Sequence, residues 1–286
     1  MIKNILTFVV LILALLGFSL YQYIRFNDGK LHLIFCNVGQ GDGIFIRTPK
    51  GLDFIVDSGP DDSILSCLSR HMPFWDRTIE LAFLTHPHAD HITGFISIFK
   101  RYKVLNFATE DLSNDTSLYK ELSSELQSMN LKTRSLYLED SFSISDGTKI
   151  KVVGPSKEFL ERTSPNGKIG ESKEFGSLEL LLTFGSFNAL LTGDFQVDEL
   201  NEAQHLFSKI DVFQTPHHGS KYGIDSQFLS TISPKLAVIS VGKNKYGHPS
   251  TEVLKILNDL AIKFLRTDRN GDVEIIADKN GHFSVR

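Results

Sequence analysis

The chain has 286 residues, 41% of them hydrophobic and 22% charged, and a formal net charge of −4. That is enough to bury a full core as one large α/β domain or two small ones, while the acidic balance argues against general electrostatic nucleic-acid binding but leaves room for a local basic rim. Its two cysteines, Cys36 and Cys67, exclude a disulfide framework and a cysteine metal cage, and two buried free thiols are the expectation.

Residues 5–24 form an uncharged, almost unbroken apolar run with Tyr21 and Tyr23 at its far end. About 20 such residues in a helix reach across a bilayer core, and aromatic side chains favour the lipid–water boundary. The run is longer than a signal-peptide core, and no small-x-small site precedes Arg25, so an uncleaved anchor is expected over residues 1–26. Lys3 on one side is balanced by Arg25 and Lys30 on the other; the short N-terminal tail favours an outward-facing domain, a single-pass protein with residues 27–286 on the extracytoplasmic side.

The globular part opens with strands at 31–38 and 43–48, joined by the turn Gly39-Gln40-Gly41-Asp42, then a strand at 52–56 that runs into Asp57-Ser58-Gly59-Pro60. A helix follows at 63–71, a strand at 81–84 and a helix at 92–102. A hairpin covers 141–153, and 156–176 reads as a polar surface loop. Strands at 178–184 and 188–191 lead to Thr192-Gly193-Asp194, a helix to 197–209, and a strand at 211–215 to Pro216-His217-His218-Gly219-Ser220. A strand at 236–241, a helix at 250–260 and short terminal strands complete the chain. Strands first, then strand–helix alternation, twice over, suit two sheets packed face to face with helices outside. The candidate ligands follow strands and are expected to converge on one edge. The 22 phenylalanines and the other aromatic residues are scattered and are assigned to the core.

The densest cluster of metal-binding side chains is Thr85-His86-Pro87-His88-Ala89-Asp90-His91, between a strand and a helix. Alternate residues of an extended segment point the same way, so His86 and His88 can grip one ion. Asp90 and His91 begin the turn into the helix and face a second. Asp57, Asp194, His217 and His218 add oxygen and nitrogen ligands, with Asp194 as the candidate bridge. Two cations about 3.5–4 Å apart would hold a hydroxide between them and stabilise charge on attacking and leaving oxygens. Imidazole and carboxylate without thiolate favour two zinc ions, with manganese or iron as alternatives.

The His86-x-His88-x-Asp90-His91 signature, with Asp57 in Val-Asp-Ser-Gly and Asp194 in Thr-Gly-Asp, resembles the metallo-β-lactamase superfamily. Asn37-Val38-Gly39-Gln40-Gly41-Asp42, Pro216-His217-His218-Gly219-Ser220-Lys221, Tyr246-Gly247-His248-Pro249-Ser250 and Arg266-Thr267-Asp268 followed by Gly271 are similar to the metallo-β-lactamase-like domain of ComEC-type competence proteins. The resemblance implies an αββα sandwich with a two-metal hydrolase site. By motif, His86 and His88 would hold the first ion, Asp90 and His91 the second, Asp194 would bridge, His218 would complete the second site, and His217 would contact phosphate. Asp57 would orient ligands or water.

Three departures stand out. Ser177-Leu178 occupies the region of the superfamily's third-motif histidine, position 37 is Asn where that branch carries Asp, and the multi-helix channel and small β-barrel of full-length competence proteins are absent, so a transport role is not expected. The resulting expectation is a membrane-anchored phosphodiesterase or nuclease acting on DNA by attack of hydroxide held at the metals, with no protein partner inferable. The alternatives are a phosphodiesterase on small or surface-attached esters such as phosphorylcholine groups, and a non-catalytic DNA-binding or scaffolding domain. The expected catalytic residues are Asp57, Asp90, His217 and His248, the last as proton donor or phosphate contact. Ser220, Lys221, Lys243 and Lys245 are the expected substrate-binding residues, and His86, His88, Asp90, His91, Asp194 and His218 the expected metal ligands.

Overall fold

In the computed structural model, residues 2–169, 176–206 and 209–286 are described. Helix α1 (Ile2–Phe26) leads into β1 (Leu31–Phe35), β2 (Gly43–Arg47), β3 (Asp53–Ser58), α2 (Ser63–His71), β4 (Thr78–Ile79), β5 (Leu81–Leu84) and α3 (Ala89–Phe99). Next come β6 (Lys103–Val104), β7 (Phe107–Thr109), α4 (Ser117–Ser128), β8 (Thr133–Ser135), β9 (Ser141–Ser143), β10 (Thr148–Gly154) and α5 (Lys157–Thr163). The second half holds β11 (Glu179–Phe184), β12 (Phe187–Leu191), α6 (Val197–Ala203), β13 (Val212–Gln214), α7 (Ser226–Ile232), β14 (Leu236–Ile239), α8 (Thr251–Asp259), β15 (Lys263–Arg266), α9 (Thr267–Asn270), β16 (Val273–Ala277) and β17 (Phe283–Val285).

The strands form an eight-stranded sheet, β17-β16-β1-β2-β3-β5-β7-β8, and a seven-stranded sheet, β15-β14-β13-β12-β11-β10-β9. Leu31, Leu33 and Phe35 of β1 enter the layer between the sheets, with Leu180, Leu182 and Val238 from the second sheet. Ile34, with Phe45 and Ile55, faces Ile64, Leu68 and Phe95 on α2 and α3. In the second sheet, Leu190, Phe213 and Ile239 meet Phe228, Leu229, Val253 and Leu257 on α7 and α8. The two-residue period therefore sorts side chains between two apolar layers rather than between core and water, and the strands read as nearly continuous apolar runs. This is the expected αββα sandwich.

Helix α2 has the expected bounds, and α8 starts where Ser250 Oγ accepts from Val253 N. Several expectations need correction. Residues 156–176 are not all surface loop: Ser156 caps α5, which buries Phe159 and Leu160. Residues 170–175 lie outside the described residues, as do 207 and 208 of the expected 197–209 helix, which consists of α6 and a single turn at Gln204–Leu206. Helix α7, capped by Asp225, has no counterpart among the expected elements. Cys36 and Cys67 are joined in a disulfide rather than free, because α2 packs its inner face onto the exit of β1 and brings their Cα atoms to 5.7 Å.

Helix α1 is long and apolar enough to cross a membrane, the one such helix among the described residues. Its end is tied to the domain: Phe26 is buried, and its carbonyl accepts from Arg47 Nε at 3.1 Å. Asp272 braces the same flank, accepting from Asn37 N, Arg70 Nε and His71 Nε2 at 2.9, 2.8 and 3.1 Å. Burial opposes its charge, but His71, the Asn37 amide and Arg70 hold its carboxyl down at about 2. Asn37 lines a groove beside α1, away from the histidine cluster.

Candidate metal centre

Parallel pairing of β3 with β5, and of β13 with β12 and β14, brings the exits of these strands to common edges. Asp57 closes β3, His86–His91 follow β5, Asp194 follows β12, His217 and His218 follow β13, and His248 follows β14. Strand β2 is antiparallel to β3, so its beginning meets β3's end, Gly43 opposite Ser58. That register places Asp42 beside the cluster. Gly41 is needed at the approach, since a Cβ there would lie 2.3 Å from Asp90 O, and Asp42 N donates to the same carbonyl at 3.2 Å.

Single ligand atoms of Asp42, His91, Asp194 and His218 all lie within 4.8 Å of one another. His91 Nε2 is 3.5 Å from Asp194 Oδ2 and 3.9 Å from Asp90 Oδ1. His218 Nε2 is 3.3 Å from Asp90 Oδ2 and 3.7 Å from Asp194 Oδ1. On the other side, His86 Nε2 stands 3.0 Å from His88 Nδ1 and 3.6 Å from Asp194 Oδ2. Asp194 thus reaches both halves. His217 is more exposed, with Nε2 3.9 Å from Asp194 Oδ2.

Both carboxylate oxygens of Asp42, Oδ1 of Asp194, and Nε2 of His91 and His218 are buried with no hydrogen-bond partner among the described residues. Each such atom costs about 1–3 kcal/mol if nothing takes it. Converging imidazole nitrogens and carboxylate oxygens fit divalent cations, which would take these atoms and balance the clustered negative charge. The electrostatics show how tightly the groups are coupled. Burial pushes Asp42 up to about 6 against the opposing pull of His218 and His91. Burial also opposes the charge of Asp194, yet His91, His218 and His217 hold its carboxyl well below the usual range. Against the same burial, Asp194 and Asp42 raise His218 to about 10.

The candidate ligands are held from behind. Asp57, with φ of 58° and fully buried, accepts Thr85 N and Thr85 Oγ1 at 2.7 Å each, and its Oδ2 lies 2.8 Å from His91 Nδ1. It therefore turns the other ring nitrogen of His91 toward the cluster, from a place behind the groove wall rather than in it. Asp57→Asn should lower metal affinity about 10–100-fold, read by isothermal titration calorimetry, with the far-ultraviolet circular dichroism unchanged; affinity within twofold of wild type would refute the role. Ser177, at the place of the missing histidine, accepts from Asp194 N at 3.1 Å, and its Oγ lies 3.4 Å from His86 Nδ1. It ties the turn at Asp194 to the loop that carries His86. Gly193 adopts φ of 50°, and a Cβ there would lie 2.3 Å from Ser177 Oγ.

A groove of about 970 Å³ opens over the cluster, lined by His88, Asp90, His217, His218, Ser220, Lys221 and His248 among others. Burial, His217 and His218 bring His248 down to about 4. Lys243 and Lys245, expected to bind substrate, are not in its wall. Asn244 folds the loop inward by accepting from the backbone N–H of Tyr246, Gly247 and His248, which leaves both flanking lysines exposed. Sequence reasoning missed Asp42 as a ligand candidate, although the Gly-Gln-Gly-Asp turn carried the signal. It also missed Tyr222 and Tyr246, which line the groove and are 60% and 65% exposed rather than core. Lys221 Nζ lies 4.8 Å from the ring of Tyr222, and Lys245 Nζ 5.8 Å from that of Tyr246.

Two sheets between helices, with a His-x-His-x-Asp-His loop and an aspartate that reaches both halves of the cluster at one edge, define a metallo-β-lactamase-fold protein. No family model matches the sequence. The chain resembles ComEC-type competence proteins: it is 28% identical over 280 residues to ComE operon protein 3 of Bacillus subtilis (strain 168), an alignment covering 91% of this chain and 34% of that protein. It spans about a third or less of the length of the curated relatives it matches. Among solved structures, the metallo-β-lactamase fold protein YhfI from Bacillus subtilis has a TM-score of 0.56 at 10% identity, over 85% of this chain and 99% of that one. Zn(2+)-bound PqqB from Methylobacterium extorquens has a TM-score of 0.54 at 12% identity, over 86% and 98%.

Proposed function

We propose that this chain is a membrane-anchored, metal-dependent phosphodiesterase that cleaves DNA, its globular domain spanning residues 27–286. The observation that carries this reading is the convergence of His86, His88, Asp90, His91, Asp194 and His218, joined by Asp42, under one groove. Bound divalent cations would supply Lewis acidity, activating water and neutralising charge at phosphorus. His86 and His88 would hold one, and Asp42, Asp90, His91 and His218 the other, with Asp194 between them. Zinc suits the imidazole-rich half; the oxygen-rich half also accepts manganese.

The remaining residues bind and orient substrate. His217, Ser220 and Lys221 sit on the groove wall where a phosphate would rest, and His248 offers a hydrogen bond to a substrate oxygen. Tyr222 and Tyr246 present exposed rings on which bases of a single strand can stack. A groove of this size with two stacking platforms favours a polynucleotide over a phosphorylcholine-like ester. The Cys36–Cys67 disulfide supports an extracytoplasmic domain, since such bonds persist in oxidising compartments.

The test is to incubate the full chain with labelled single-stranded DNA, bis-p-nitrophenyl phosphate and a choline phosphodiester, each with zinc or manganese. Cleavage of DNA that is lost with EDTA and in His88→Ala is the expected result. Turnover confined to small esters would overturn the DNA assignment, and tight DNA binding without turnover would overturn the enzyme. Tyr246→Ala should weaken single-stranded DNA binding by about 1–3 kcal/mol, roughly 5- to 150-fold. Affinity for zinc or manganese, in which the ring takes no part, should stay unchanged.

A further inference from the structure

Outside the groove, an aromatic pair lies exposed on the flank of the domain that carries α1. Phe74 and Trp75 follow α2 and are 51% and 46% exposed. Their rings meet edge to face at 4.9 Å, and Phe74 stacks on Phe18 of α1 with centroids 5.5 Å apart. The junction between helix and domain is fastened by the buried Phe26, by Arg47 on its carbonyl, and by Arg25, whose guanidinium donates to Arg70 O at 3.4 Å. The height of the Phe74–Trp75 loop along α1 is therefore set by the fold.

That height decides where the loop sits once α1 spans a bilayer, the reading on which this inference rests. Phe18 lies eight residues before Phe26, about 12 Å down the helix axis. The uncharged run below it, residues 5–18, is only about 21 Å long, against the roughly 30 Å of a hydrocarbon core. To complete the span, the turns above Phe18 must also enter the membrane, and they take with them the loop packed against Phe18. The loop runs from Arg70, held at the level of Arg25, down to Phe18, and so crosses the boundary that aromatic side chains favour. Arg70 and Arg77 flank the loop in sequence, Arg25 is tied to the carbonyl of Arg70, and all three are exposed, so that guanidinium groups at this level would meet lipid phosphates.

We propose that the loop bearing Phe74 and Trp75 is a second membrane contact, seated in the phospholipid interface beside α1. The domain then rides directly on the bilayer surface instead of swinging on a tether.

Trp75 is the only tryptophan in the sequence, so its emission reports this loop alone. The full chain would be reconstituted in phosphatidylcholine–phosphatidylglycerol vesicles, with and without lipids brominated near the headgroup end or near the terminal methyl of the acyl chain. Emission should shift to the blue, lose about half its intensity to the shallow bromines, lose less to the deep ones, and be shielded from aqueous iodide. Phe74→Asp should abolish the bromine quenching while the chain still floats with the vesicles. Wild-type chain that floats but whose Trp75 is quenched by iodide and not by bromolipid would overturn the loop contact and leave the anchor standing. Failure of the wild-type chain to float would overturn the anchor itself, and the contact with it.

Discussion

Asp194→Asn is expected to abolish metal-dependent hydrolysis, lowering the rate by about 10³-fold or more. The carboxylate lies 3.6 Å from His86 Nε2, 3.5 Å from His91 Nε2 and 3.7 Å from His218 Nε2, so it offers an oxygen to each half of the cluster. The amide keeps the shape but loses the charge, and it replaces one acceptor with an NH₂ group facing imidazoles already committed to a cation. Stabilisation worth several kcal/mol should vanish together with the second bound ion. Turnover of bis-p-nitrophenyl phosphate and metal content by mass spectrometry check both halves of this statement. A variant that keeps two ions and activity within tenfold of wild type would show that Asp194 does not bridge.

Removing the disulfide should produce the largest loss of stability. Cys36 and Cys67 are 31 residues apart in sequence, and closing a loop of that length lowers the entropy of the unfolded chain by the equivalent of about 3–4 kcal/mol. For a domain of this size that corresponds to a fall in Tm of roughly 10 °C. The double variant Cys36→Ala, Cys67→Ala is the cleaner probe, because serine would bury two hydroxyls among Ile34, Val38 and Ile64. Differential scanning calorimetry should show the fall, and dithiothreitol should reproduce most of it in the wild-type chain. A change below about 2 °C would contradict the chain-entropy argument. The closed loop contains Asp42 and Asp57, so the variant should also bind metal more weakly.

Local sequence determined the features whose parts lie within a few residues. The loop from His86 to His91 is legible because four candidate ligands, a preceding apolar strand and a following helix occupy one short stretch. The bounds of α2 and the cap at Ser250 are local for the same reason. The fold class was legible too, since strand and strand–helix alternation leave few ways to bury both faces of two sheets. Tertiary structure decided everything that depends on which strands lie side by side. Asp42 joins the cluster only because β2 runs antiparallel to β3 and sets Gly43 opposite Ser58. The cysteines pair only because α2 lies over the exit of β1. Tyr222 and Tyr246 line a groove, and Phe74 meets α1, through packing between segments distant in the chain. Periodicity reports which face of an element is apolar, while pairing and packing choose its neighbours, and those choices are made by contacts that no short window of sequence contains.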